Sequence, residues 1–276
     1  MKIRDRVHFV ASVAGLGLLI GAGIVLPGAA VAATGSTAST GSDASESVTF
    51  VAGDGQRNDL RVAQTYSVSG YDTIWHYRFD DVFPIAPGAG CTQPNDADAT
   101  VVICDLFETA DFTPTIAVDT GDQADRIEVH AAQENQIHAG PGDDLMIGAS
   151  GDNLWGDAGA DTIEGSRAHG GDGDDVIYHP TTGYGDAGND ILIGTAGGQM
   201  MSGGPGDDLM IGLGGRDYLY GDSGKDTILG GTGDDVLYGG PGEDSLYGNS
   251  GKDTLRGGPQ QDTLSGGPGV NRLYQN

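Results

Sequence analysis

Ten consecutive nine-residue segments fill residues 185–274: GDAGNDILI (185–193), GTAGGQMMS (194–202), GGPGDDLMI (203–211), GLGGRDYLY (212–220), GDSGKDTIL (221–229), GGTGDDVLY (230–238), GGPGEDSLY (239–247), GNSGKDTLR (248–256), GGPQQDTLS (257–265) and GGPGVNRLY (266–274). Position one is glycine in every segment, and position four is glycine in all but one, where Gln260 stands. Position six is Asp except at Gln199 and Asn271, and position eight is always Leu, Ile or Met. Glycine at fixed places lets the chain adopt positive φ without Cβ strain, so it turns tightly at each repeat. In a short strand the residue at position eight faces inward, and its neighbours at seven and nine face outward. Upstream the pattern loosens. GGDGDDVIY (170–178) keeps every fixed position, whereas DTGDQADRI (119–127), AGPGDDLMI (139–147) and GDAGADTIE (156–164) recur at uneven intervals.

The unit GGxGxDxUx resembles the calcium-binding nonapeptide of the repeats-in-toxin (RTX, hemolysin-type) family. The resemblance is tight over 185–274 and looser back to Asp119. It implies an all-β fold, a parallel β-roll or solenoid. In each repeat six residues would form a calcium-binding turn and three a short strand. The turn glycines Gly206, Gly215, Gly224, Gly233, Gly242 and Gly251 are expected to take part in the metal-binding turns.

Two nonapeptides make one coil of 18 residues, so each segment stacks on the next but one. That places Asp190, Asp208, Asp226, Asp244 and Asp262 in one column, beginning at Asp190. Gln199, Asp217, Asp235, Asp253 and Asn271 form the other. Stacked strands lie ~4.8 Å apart, so the carboxylates repel unless a cation sits between them. Calcium suits, since it accepts six to eight oxygens in flexible mixtures of carboxylate and carbonyl. Zinc calls for His or Cys, and the ten segments contain neither. Each neighbouring pair in a column defines a candidate site. About six to eight ions are expected in the regular repeats. The Gln199–Asp217 interval is expected to be the poorest, with Thr195 and Leu213 at position two, where positive φ favours glycine. Asp125, Asp144, Asp161 and Asp175 are further candidates from the irregular coils of 119–184.

The rest of the chain divides by composition. Lys2, Arg4 and Arg6 precede the apolar stretch Phe9 to Leu26 and the small-residue site Ala30-Val31-Ala32, the anatomy of a secretory signal peptide over 1–32. Residues 33–47, including TGSTASTGSDASES (34–47), hold no large apolar residue and read as a flexible linker. Residues 48–118 carry short runs of β-formers (48–52, 60–63, 73–77, 100–104 and 115–118) and read as a small all-β region. Cys91 and Cys104 are the only cysteines, and in an exported chain they are expected to form a disulfide.

With 50 glycines among 276 residues and a net charge of −27, the chain repels nucleic acid at long range. Removing Lys2, Arg4, Arg6 and Asp5 with the signal makes the net charge −29. The mature chain has no apolar run able to span a membrane. No HExxH is present, and Gly221-Asp222-Ser223-Gly224, which imitates a protease nucleophile loop, is positions one to four of a repeat. His76, His130, His138, His169 and His179 share no ligand spacing and read as surface or turn residues. About 85 residues before Asp119 leave little room for a catalytic domain. The expectation is a secreted, extracellular, non-enzymatic calcium-binding protein. A calcium-dependent adhesion or interaction protein is the alternative, followed by a non-catalytic relative of RTX toxins and hydrolases. One outward face carries Ile191, Ile193, Leu209, Ile211 and Leu229, and the other Tyr218, Tyr220, Val236, Tyr238 and Tyr274. Such apolar faces raise the expectation of self-association or a protein partner.

Overall fold

The computed structural model describes residues 47–52, 55–69, 72–82, 91–94, 101–107, 115–131 and 134–275. The expected signal segment 1–32 and the expected linker 33–47, apart from Ser47, lie outside the described residues. Every named element is a strand, and no helix among the described residues is long and apolar enough to cross a membrane. The chain divides into two compact units, one of residues up to 140 with 149–151, the other of 141–148 with 152 onward.

The first unit contains β1 (Ser47–Val51), β2 (Asp59–Ser69), β3 (Asp72–Asp80), β4 (Cys91–Thr92), β5 (Val101–Phe107), β6 (Thr115–Asp119), β7 (Arg126–His130) and nearly all of β8 (Gln136–Pro141). β1, β6 and β8 run parallel in one sheet, and β2 lies parallel to β7 in another. β2 also turns back on β3, and β5 and β4 continue that arm antiparallel. Leu60 and Val62 are buried and alternate with exposed Arg61 and Ala63, as a half-buried strand requires. Tyr77 and Phe79 on β3 are buried too; Phe50 stacks on Phe79 with ring centroids 5.9 Å apart, and Gln64 Nε2 donates to the Tyr77 hydroxyl at 3.0 Å. β2 runs well past the expected segment 60–63, through Tyr66 and Val68, each 64% exposed. Cross-strand pairing with β3 holds this extension, with Tyr66 against Trp75 at 5.3 Å.

The second unit is a parallel β-solenoid. One sheet is built from β10 (Asn153–Ala158), β12 (Arg167–Asp172), β14 (Thr182–Ala187), β16 (Met200–Pro205), β18 (Tyr218–Ser223), β20 (Val236–Tyr238), β22 (Thr254–Arg256) and β24 (Arg272–Tyr274). The other contains β9 (Leu145–Ile147), β11 (Thr162–Glu164), β13 (Val176–Tyr178), β15 (Ile191–Ile193), β17 (Leu209–Ile211), β19 (Thr227–Thr232), β21 (Ser245–Ser250) and β23 (Thr263–Ser265). In the regular repeats Ile191 pairs with Leu209, Leu209 with Thr227 and Tyr218 with Val236, so segments stack on the next but one. Position eight forms the core: Leu192, Met201, Met210, Leu219, Ile228, Leu237, Leu246 and Leu255 are fully buried. Leu273, in the last coil, is 49% exposed.

Six of the ten strands of the regular repeats have the expected three residues, and four are longer. β16, for example, runs from position seven through position three of the next segment, because backbone pairing continues along the stack into the turn: Gly204 pairs with Asp222 and Pro205 with Ser223. Position two takes positive φ in nine of the ten regular segments, Thr195 being the exception. Asp186 (69°), Asp222 (69°) and Asn249 (65°) supply it as short polar residues, and Leu213 (68°) adopts it with its side chain half exposed.

Candidate metal centre

The aspartates of position six stand on the turns and point inward. Each Oδ1 accepts a hydrogen bond from the backbone N–H of the matching residue one coil earlier. In the second unit this ladder runs from Asp144 to Asp161, Asp175, Asp190, Asp208, Asp226, Asp244 and Asp262 at 2.7–3.1 Å. Asp190 therefore lies within a column and does not begin it, and the irregular aspartates share its register. The reason lies in the turns. The connections bearing these aspartates keep one length (159–161, 173–175, 188–190, 206–208). The missing residues come out of the opposite connections, 148–152, 165–166 and 179–181, against 194–199 in a regular coil. The second column starts at Gln199 and passes through Asp217, Asp235 and Asp253 to Asn271, again by backbone N–H to side-chain oxygen at 2.8–3.1 Å.

The other oxygen of each carboxylate is unusual. Oδ2 of Asp144, Asp161, Asp175, Asp190, Asp208, Asp217, Asp226, Asp235, Asp244 and Asp253 is buried with no hydrogen-bond partner. The residues themselves are 0–3% exposed. Orphaned buried carboxylate oxygens are costly and call for a cation or a proton. Beside Oδ2 of Asp161, Asp175, Asp190, Asp217, Asp226 and Asp244 stands a second oxygen. A Cβ at Gly185 would run into both Asp190 Oδ2 and the carbonyl of Gly203, one coil on. The same pairing recurs at Gly156, Gly170, Gly212, Gly221 and Gly239. Only glycine leaves this space open, which accounts for the invariant position one. Among the described residues no three His, Cys, Asp or Glu side chains gather to hold an ion by themselves. A cation here takes backbone carbonyls together with a carboxylate, the donor mixture of calcium.

The position-four glycines, expected in the metal-binding turns, stand tight against the neighbouring coil. A Cβ on Gly206, Gly224, Gly233, Gly242 or Gly251 would meet the carbonyl of the corresponding glycine one coil earlier, and Gly215 crowds Gly197 in the same way. They are the close-packed backbone of the turn. The carbonyls beside Oδ2 come from position one, which sequence reasoning did not single out, although its glycine in all ten segments was the available signal.

Burial raises the aspartate pKa values despite the hydrogen bond to Oδ1. Asp175, Asp208 and Asp217 are pushed up to about 7, and Asp161, Asp190 and Asp226 to about 6. Asp235, Asp244 and Asp253 are raised for the same reason, with column neighbours Asp253 and Asp262 adding to it at Asp235 and Asp244, and Asp234 at Asp253. In the first unit Asp125 is raised to about 7, chiefly by burial, and its Oδ1 accepts from Asn58 N–H at 2.6 Å. Cys91 and Cys104 stand directly opposite each other across β4 and β5. The histidines lie apart from the columns: His130 meets Glu128, His169 meets Asp186, and His179 meets Glu164.

The family model of the RTX calcium-binding nonapeptide repeat matches residues 132–154, 148–169, 166–179, 184–219, 202–237, 220–255 and 238–273, half of the chain. The chain belongs to this family and is a calcium-binding RTX protein. No curated protein matches it.

Proposed function

We infer that this is a secreted, non-enzymatic protein whose β-roll folds as it takes up calcium. The observation that carries this reading is the row of buried, unpartnered Oδ2 atoms repeated coil after coil. Without metal each must take a proton or stand as a desolvated charge facing others of its kind; bound calcium supplies the opposing charge and shares it with the glycine carbonyls. A metal that binds only the folded form contributes its binding energy to folding. Extracellular calcium modules bind at about 10⁻⁴–10⁻³ M, which matches a chain unfolded before export and folded outside. The signal-like segment 1–32 supports secretion, and the opposed Cys91 and Cys104 support a disulfide formed there. The six regular intervals with Asp at both ends are the best calcium sites, and those from Asp144 to Asp190 extend the set. Circular dichroism in EGTA and in millimolar calcium tests the reading. A gain of β-signal and of melting temperature is expected on adding calcium. Identical spectra and melting points would refute it.

A calcium-dependent interaction role is favoured by one further observation. Register places Ile191 beside Leu209, and Ile193 beside Ile211 and Leu229, as two outward columns on one sheet. Ile191 is exposed and the others are half-buried. A contiguous apolar stripe of this kind promotes self-association. Light scattering in calcium should show association for wild type and its loss in an Ile193→Lys, Ile211→Lys double variant. A monomeric wild type would remove this role.

A further inference from the structure

We propose that the outer face of the sheet running from β10 to β24 binds an acidic polysaccharide, and that Arg256 pairs with its carboxylates or sulfates. On each strand of this sheet two side chains flank the inward residue and face out. None of them is Asp or Glu, although the chain has 40 such residues. Three are arginines (Arg167, Arg256 and Arg272), and six are Tyr or Trp. Register lines up Tyr220, Tyr238, Arg256 and Tyr274 in one column, each on the strand after the last. The face therefore has the opposite character to a molecule whose net charge is −27. That segregation is an electrostatic complement to an anionic partner.

Arg256 carries the argument. Its guanidinium lies 5.8 Å from the Tyr238 ring centre and 5.1 Å from that of Tyr274, one tyrosine on either side along the column. Cation–π contact engages the faces of a guanidinium, whereas its N–H donors lie in its plane. The tyrosines thus hold the group in place and leave its fork for a carboxylate or sulfate, which it can grip through two parallel hydrogen bonds. Among the described residues no carboxylate forms an ion pair with Arg256. Beside it is a cavity of about 300 Å³, lined by Tyr238, Gly240, Arg256, Gly257, Gly258 and Tyr274. That is the small end of ligand sites, with room for one sugar ring, and the tyrosines supply hydroxyl partners for it. The rungs recur at ~4.8 Å and Arg272 stands on the adjacent strand, so a linear polymer meets further donors along the face. Polypeptides gain affinity at a sheet by pairing with its edge, which an outward face does not offer. Nucleic acid carries a charge every ~1.7 Å, more than three arginines beside acidic turns can balance. The charges of an acidic polysaccharide are spaced by whole sugar rings. At physiological ionic strength charges beyond about 8 Å are screened, so such a chain meets this face rather than the molecule's net charge.

The test measures binding of the full exported chain, in millimolar calcium, to immobilised hyaluronate and chondroitin sulfate. Wild type should bind at least one of them and should not bind neutral dextran. Arg256→Gln should lower the affinity about tenfold or more, the worth of a charge-assisted hydrogen bond. Arg256→Lys keeps the charge without the fork and should lose most of the binding too. Lys225→Gln removes a cation from a turn, away from this face, and should bind like wild type. Melting in calcium checks that each variant folds, and Arg272→Gln takes the place of an Arg256 variant that does not. No binding of either polysaccharide by wild type would overturn the proposal. So would an unchanged affinity in the folded arginine variants, or an equal loss in Lys225→Gln. Competition by poly-glutamate or oligothymidylate as strong as by free hyaluronate would overturn the choice of a polysaccharide, in favour of an acidic polypeptide or a nucleic acid.

Discussion

At the scale of single residues the roll is governed by where protons and cations can neutralise buried oxygens. A column aspartate has its pKa raised by burial, so the metal-free fold prefers the protonated form. Stability from this source is fully present below the unfolded value near 3.8 and is lost as pH rises through about 6–7. In EGTA the protein should therefore melt higher at pH 5 than at pH 8, as a thermal scan at the two values will show. In calcium the order should reverse, because protons compete for the same oxygens. Individual aspartates should differ by position. Asp235 lies between Asp217 and Asp253, whereas Asp262 ends its column. Asp235→Ala should weaken calcium binding at two intervals and Asp262→Ala at one, which calorimetric titration can count. Equal losses would mean that the register is wrong.

At the scale of the turn, glycine is required by different things at different positions. Gly233 has φ 139° and its Cα faces the carbonyl of Gly215, so a side chain is both strained and blocked. Gly233→Ala should cost at least ~1–3 kcal/mol from backbone conformation alone. Gly197 is also at position four, but in the segment where Gln199 Nε2 donates back to the Gly197 carbonyl. There a Cβ would meet only Thr195 Oγ1 at 3.7 Å. Gly197→Ala should be close to neutral. Melting of the two variants in calcium gives the comparison, and a loss at Gly197 as large as at Gly233 would contradict the described turn. On the outward side of the sheet, strand register also builds stacks that leave the turns untouched. Tyr220 lies on Tyr238 with centroids 5.0 Å apart, and the Arg256 guanidinium sits 5.8 Å from the Tyr238 ring and 5.1 Å from that of Tyr274. Such contacts stabilise short strands that bury one side chain each.

At the scale of the whole chain, a net charge of −27 opposes compaction. Two sources of repulsion can be separated experimentally. Charges on the surface are screened by salt over about 8 Å at physiological ionic strength, but carboxylates buried ~4.8 Å apart are screened far less. High sodium chloride in EGTA should therefore recover only a minor part of the melting temperature that millimolar calcium restores. Full recovery by salt would mean that general charge, and not the columns, controls folding.

Sequence by itself determined the period of 18, the inward position eight and the column aspartates. These follow from local rules: glycine opens positive φ, a short strand alternates, and an apolar residue every nine marks the core. It equally located Gln199 and Thr195 as a departure from the repeat. Tertiary structure alone decided the rest. The column reaches back to Asp144 because the shortened connections lie opposite it, which no local spacing reveals. The carbonyls beside Oδ2 belong to the next coil, and the long β2–β3 arm is held by cross-strand pairs. Whether an amide presents its nitrogen or its oxygen to a turn depends on the acceptors around it. At Gln275 and Asn58 those acceptors come from residues far away in the chain, and only folding brings them within 3 Å or so.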